Sequence, residues 1–372
     1  MEYKIVTEFA ELESVCNQAR ESDVVMLDTE FVRIRTYYPK LGLIQLYDGE
    51  QLSLIDPLSI SDFTPLQELL LDASVLKVLH ACGEDLEVFQ NSFGCMPFPM
   101  VDTQIMAAFL GHGLSTGFAT LVEDYLGIEL DKSESRADWV ARPLTDKQLD
   151  YAAADVYYLW PLYFKLFAQV EAKDWWDATQ QESELLMQKR IKSVNPDNAY
   201  LDIKGAWQLK RKQLAVLKPL ATWRLNEALK RDLALNFVIK EQELWTIARF
   251  GLTKPKKMEE EGVDPRAIRR HGERIAAIVK RAQQTPEEEH PDKIERLMDF
   301  PGYKQAFKKL KDEVKKAAQH SGLANEFLAS KKQLNQYLSW VWKYDRDPAR
   351  LPDVMQGWRL ELFGRSLDKL VD

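Results

Sequence analysis

Four apolar residues run into an acid in VVMLD, residues 24–28, and similar short runs recur as YKIV, LGLIQLY, QLSLID and VLKVLH within the first 80 positions. Bounded by polar residues and followed by apolar positions at helical spacing, they predict short strands alternating with helices, hence an α/β sheet. Asp48 and Gly49 separate two of the runs in QLYDGEQL, a tight-turn signal that joins antiparallel neighbours. The sheet is therefore expected to be mixed.

The pattern changes near residue 195. SVNPDNAY, residues 193–200, has the polar and proline content of a linker, and beyond it apolar positions recur at helical spacing only. A second break, QQTPEEEHPD at 283–292, divides the helical part. Its halves echo one another at an offset of 90: Ala228, Leu233, Ala234, Phe237 and Leu244 match Ala318, Leu323, Ala324, Phe327 and Leu334. Three domains are expected, an α/β domain over 1–195 and all-α bundles over 207–285 and 293–372.

One helix is unusually well marked. In RPLTDKQLDYAAADVYYLW, Thr145 and Gln148 form a capping box, with Leu144 and Leu149 as the hydrophobic staple around it. The apolar stripe that follows, Leu149, Ala152, Ala153, Val156 and Leu159, sets Tyr151 and Asp155 one turn apart beside it.

Charge adds a division of labour. The net charge of −8 seems to disfavour a polyanionic partner, but residues 1–200 carry 15 Lys and Arg against 33 Asp and Glu, whereas 201–372 carry 35 against 25. The front concentrates carboxylates, and the back has the sign to meet nucleic acid. Cys16, Cys82 and Cys95 lack metal-ligand spacing and fit a reducing compartment. No apolar run is long enough for a membrane span, and the opening MEYKIVTEFAELES does not have the pattern of a signal peptide, so an unexported protein is expected.

Three places hold candidate chemistry. Asp28 and Glu30 point to the same side of a strand, an arrangement of oxygen donors that suits Mg²⁺ or Mn²⁺ but is incomplete with two acids. Asp85 opens a helix after VLKVLH, where the backbone dipole alone would favour an acid. His80 and Cys82 nearby read as packing residues. Tyr151 and Asp155 could share an ordinary hydrogen bond.

Taken together and in order, DTEFVRIRTYYPKLGLIQL, HACGEDLEVF and WVARPLTDKQLDYAAADV resemble the three motifs of the DEDD 3′-to-5′ exonuclease superfamily, tyrosine subtype, and within it the ribonuclease D family. The resemblance covers most of residues 20–165. Position 150, where a histidine subtype would carry its histidine, is Asp150. The helical remainder resembles the paired HRDC domains of that family, with fewer matching basic positions in the second copy.

The resemblance implies a ribonuclease-H-like α/β exonuclease domain with a mixed sheet, followed by two all-α HRDC-like bundles. It implies that Asp28, Glu30, Asp85 and Asp155 hold two divalent ions, Mg²⁺ or Mn²⁺, with Tyr151 beside the attacking water. The expected substrate is RNA with a free 3′ end, such as tRNA precursors, trimmed to nucleoside 5′-monophosphates by a cytoplasmic monomer. A DNA exonuclease is the alternative, because the acids do not sense a 2′-OH; a catalytically inert RNA-binding scaffold is another. Phe31, Tyr37 or Tyr38 could stack on terminal bases, although core packing is favoured for Phe31. Arg33 and Arg35, expected on one strand face, could touch phosphate. Lys210–Lys212, Lys254, Lys256, Lys257, Arg266, Arg269 and Arg270 could hold a longer RNA body.

Overall fold

The computed structural model describes residues 1–131, 133–191 and 195–371; Ser193 and Val194, where the linker was expected to begin, lie outside them. The chain divides into two compact units, one of residues 1–32, 39–192 and 301–372, the other of residues 33–38 and 193–300.

The first unit is built on one six-stranded sheet in the order β1-β4-β3-β2-β5-β6. The strands are β1 (Lys4–Val6), β2 (Val24–Val32), β3 (Lys40–Tyr47), β4 (Leu52–Ile55), β5 (Leu76–Leu79) and β6 (Met100–Asp102). β2–β3 and β3–β4 are antiparallel, and the other three pairings are parallel. The Asp48–Gly49 turn closes the β3–β4 hairpin, with Gly49 at φ +95 and the Asp48 carboxylate accepting the Glu50 and Gln51 N–H groups. Strand β6 has no counterpart among the expected runs: it is three residues long and follows Pro97 and Pro99, which hide a strand signal.

Each face of the sheet is covered. Val25, Leu27, Ile44 and Leu46 pack with α1 (Phe9–Ala19), α2 (Thr64–Leu71) and α3 (Gly83–Phe93). The alternate residues Met26, Leu43 and Leu54 pack with α4 (Thr103–Phe109), α5 (Phe118–Leu126), α6 (Asp146–Tyr157) and α7 (Leu159–Ala172). The α6 capping box forms, with the Gln148 N–H donating to Thr145 Oγ1 at 3.2 Å and the Thr145 N–H to Gln148 Oε1 at 3.0 Å. Thr145→Ala is expected to cost roughly 1 kcal/mol, read as a lower denaturation midpoint. An unchanged midpoint would show that packing alone fixes the helix start.

The second helical copy is part of this unit. Its helices α14 (Tyr303–Ser321), α15 (Asn325–Leu328) and α16 (Lys331–Trp342) are joined to the sheet domain by an aromatic contact. Phe109 of α4 lies 4.7 Å from Phe327 and 5.0 Å from Trp358, ring centre to ring centre. Buried Arg359 pairs with Glu182 of α8 (Trp176–Arg190) and donates to the Leu328 and Phe327 carbonyls at 2.8 and 2.9 Å.

The second unit holds the first copy, α9 (Arg211–Arg231), α10 (Leu235–Val238), α11 (Glu241–Phe250), α12 (Pro255–Glu260) and α13 (Pro265–Ala282). The offset of 90 reappears in the short helices α10 and α15 and at the starts of α11 and α16. Equivalent positions are nevertheless used differently: Phe327 is 5% exposed against Phe109, whereas Phe237 is 46% exposed. In this unit Arg35 lies 5.9 Å over the Phe237 ring, its carbonyl accepts the Ala234 N–H, and Asp232 accepts the N–H groups of Tyr37 and Tyr38.

Candidate active site

β2 runs through Asp28 and Glu30 to Val32, and its pairing with β3 shifts between Glu30 and Phe31. Alternation puts Asp28 and Glu30 on the α6 face with Met26 and turns Thr29 to the α3 face with Leu27. Ala152 and Ala153, both 0% exposed, let α6 approach the sheet closely. Its Asp155 thereby meets the two strand acids: one carboxylate oxygen from each of Asp28, Glu30 and Asp155 lies within 4.8 Å of the others. Among the described residues this is the one group of three or more His, Cys, Asp or Glu side chains close enough to share an ion.

Asp85 lies outside this group of three but is near enough for its charge to act on each of them. It enters from the first turn of α3, on the opposite face of the sheet, and its carboxylate accepts the Thr29 hydroxyl. Asp102, at the end of β6, accepts the Ala81 N–H at 2.9 Å and the Cys82 N–H at 3.0 Å, which fixes the chain entering α3. It also caps α4 through the Gln104 N–H. Neither Thr29 nor Asp102 stands out in the sequence. An N-cap signature in Asp102-Thr103 before an apolar helix was the available signal for the latter.

The electrostatics of the group are one-sided. Burial, then the charges of Asp85, Asp155 and Glu30, raise the Asp28 carboxyl well above its ordinary range. Burial followed by Asp155 and Asp85 pushes Glu30 up to about 9, and burial followed by Asp85 pushes Asp155 up to about 7. Burial raises Asp85 to about 6, opposed by the Thr29 hydroxyl. Among the described residues, no cationic side chain is a main influence on these four acids. An all-oxygen, anionic donor set without internal compensation fits Mg²⁺ or Mn²⁺.

A pH dependence follows for the metal-free protein. Carboxyls raised in the folded state bind more protons there than in the unfolded chain, where they titrate near ~4. Stability is therefore expected to fall as pH rises from ~4 through the folded values of about 6, 7 and 9. Saturating Mg²⁺ should restore it, giving a larger rise in Tm at pH 8 than at pH 5.5. An equal rise at both pH values would contradict these shifts.

Tyr151 is half-buried beside Asp155, its ring 6.0 Å from that of buried Trp139. Burial and then the Asp155, Glu30 and Asp28 charges drive its hydroxyl far up in the metal-free site. A cavity of about 280 Å³ opens against Tyr151 and Asp155, with Lys147 on its wall bridging Asp131 and Glu134.

The residues expected at the substrate end fare unevenly. Phe31 is half-buried just past the β2 irregularity and is not a core residue. Arg33 and Arg35 are not on a strand, because β2 ends at Val32. Tyr37 packs on the core of the second unit. Lys210–Lys212, Lys254, Lys256, Lys257, Arg266, Arg269 and Arg270 are all exposed, although Arg211 also donates to the His290 carbonyl. His80 is held by Thr103 and Cys82 is fully buried, as packing residues would be.

Comparison with known proteins gives a concordant result. Residues 3–171 match the model of the 3′-5′ exonuclease family, 213–279 that of the HRDC domain, and 301–367 that of the ribonuclease D C-terminal HRDC domain. The chain is 48% identical over 371 residues to ribonuclease D of Escherichia coli (strain K12), covering 100% of this chain and 99% of that one. It is 49% identical, with the same coverage, to ribonuclease D of Serratia proteamaculans. The fold matches the crystal structure of E. coli RNase D, described as an exoribonuclease involved in structured RNA processing. That match has a TM-score of 0.96, at 48% identity, over 100% of this chain and 98% of that one. By motif order, domain content and full-length similarity, the chain belongs to the ribonuclease D family of 3′-to-5′ exoribonucleases.

Proposed function

We propose that Asp28, Glu30 and Asp155, supported by Asp85, hold two divalent ions, Mg²⁺ or Mn²⁺, and that the enzyme trims the 3′ ends of tRNA precursors and other small structured RNAs, releasing nucleoside 5′-monophosphates. The observation that carries this reading is the uncompensated trio of carboxylates within 4.8 Å on a family nuclease fold. Bound there, such ions would supply an activated water and neutralise charge developing on the phosphate and the departing 3′ oxygen.

The chain's own residues divide the remaining work. Asp28 feels the charge of all three other acids and is the natural shared ligand. Glu30 and Asp155 flank it. Asp85, turned to Thr29, acts from behind the group. Tyr151 keeps its proton and orients the water by hydrogen bonding instead of removing a proton from it. The cavity beside Tyr151 receives the terminal nucleotide.

All five residues lie in the first unit, which favours a monomer as the acting species. A cytoplasmic location fits three free cysteines; among the described residues no helix is long and apolar enough to cross a membrane. The domain limits 1–195, 207–285 and 293–372 enclose the three family matches within one residue range each.

A time course on 3′-extended tRNA with Mg²⁺ or Mn²⁺, run beside 3′-blocked RNA and DNA oligomers of equal length, tests the proposal. Stepwise release of mononucleotides from free-ended RNA is expected. Preferential digestion of DNA, or cleavage of 3′-blocked RNA, would overturn it.

A further inference from the structure

Gln45, on β3, lies directly opposite Asp28 on β2. Residues so paired on antiparallel neighbours share a face, with Cβ atoms about 4.5–5.5 Å apart. Its side chain is therefore on the α6 face beside the Asp28 carboxylate. Gln45 is 0% exposed, and neither its amide nitrogen nor its amide oxygen hydrogen-bonds to any protein group. Buried amides are almost always partnered, because desolvating one without compensation is costly.

The position does not need an amide for packing. On the same face Met26, Leu43 and Leu54 fill equivalent space, and Leu54 is the residue paired with Gln45 on its other side. A side chain wanted for the fold alone would be apolar here. The polar side chain paired with Gln45 across β2 is Asp28. Asp85 is partnered instead by the Thr29 hydroxyl.

We propose that Gln45 is a positioning residue for Asp28: its amide N–H₂, through one enclosed water, fixes which way the Asp28 carboxylate oxygens face and so sets divalent-ion affinity. The group touches no substrate. Partners of this kind behind a metal-binding side chain commonly alter affinity 10–100-fold.

The inference rests on the reading of Asp28 as a metal ligand, and the test separates the two. Mn²⁺ binding by calorimetry and metal-free thermal melting are measured on the full-length native protein, Gln45→Met and Asp28→Asn. Gln45→Met should weaken Mn²⁺ binding ~10-fold or more, in a protein that still melts cooperatively without metal. Unchanged Mn²⁺ affinity in Gln45→Met overturns the proposal. So does the loss of a cooperative metal-free melt, which would mean that the amide serves the fold. If Asp28→Asn binds Mn²⁺ as the native protein does, both this proposal and the reading of the site fall.

Discussion

Asp28→Asn and Asp155→Asn are each expected to slow nucleotide release ~10³-fold or more, since losing a charged ligand forfeits several kcal/mol of transition-state stabilisation at a metal site. The same substitutions should raise the melting temperature of the metal-free protein. Both acids are held above their ordinary carboxyl range by burial and then by neighbouring carboxylates, Asp85 foremost, so a neutral side chain of the same shape removes an unfavourable buried acid from the folded state. Opposite signs for activity and stability distinguish a functional acid from a structural one. An Asn variant that keeps turnover, or that melts lower without metal, would show that the acid serves the fold.

Tyr151→Phe is expected to reduce turnover by ~10²-fold with little change in divalent-ion affinity. The ring packs against Trp139, and phenylalanine keeps that contact. What is lost is one oriented O–H donor beside the attacking water. Single-turnover rates and Mn²⁺ binding on the same preparation separate the two effects. Equal single-turnover rates for the variant and the native enzyme would remove Tyr151 from the mechanism.

What the sequence conveys about the site follows from which forces act locally. Alternation along a strand puts Asp28 and Glu30 on one face whatever the rest of the chain does, and the capping box fixes where α6 begins, hence that Tyr151 and Asp155 stand one turn apart. These relations are set within a dozen residues. The position of Asp85 is not: the face of the sheet on which α3 packs decides whether its carboxylate joins the other three or turns to Thr29, and that depends on how the whole sheet is covered. Strand β6 is invisible because two prolines stand just before its three residues, yet its terminal Asp102 organises the entry to α3.

The helical region shows the same distinction. The offset of 90 is a local pattern and reappears in the helices. The fates of Phe237 and Phe327 diverge because they depend on what each copy packs against: residues 33–38 in one unit, Phe109 and Trp358 in the other. The alternation that would carry Arg33 and Arg35 onto a strand stops at Val32, where the β2 pairing ends and the chain enters the second unit. Gln45 reads from sequence as an ordinary strand residue. Only burial and pairing reveal an amide without a protein partner beside Asp28.

The central claim, that three carboxylates from β2 and α6 form one cage for divalent cations, is tested most directly by anomalous diffraction from crystals of the native protein soaked in Mn²⁺. Two manganese peaks within coordination distance of Asp28, Glu30 and Asp155 are predicted. Manganese bound elsewhere, or its absence from these three side chains at saturating concentration, would contradict the account.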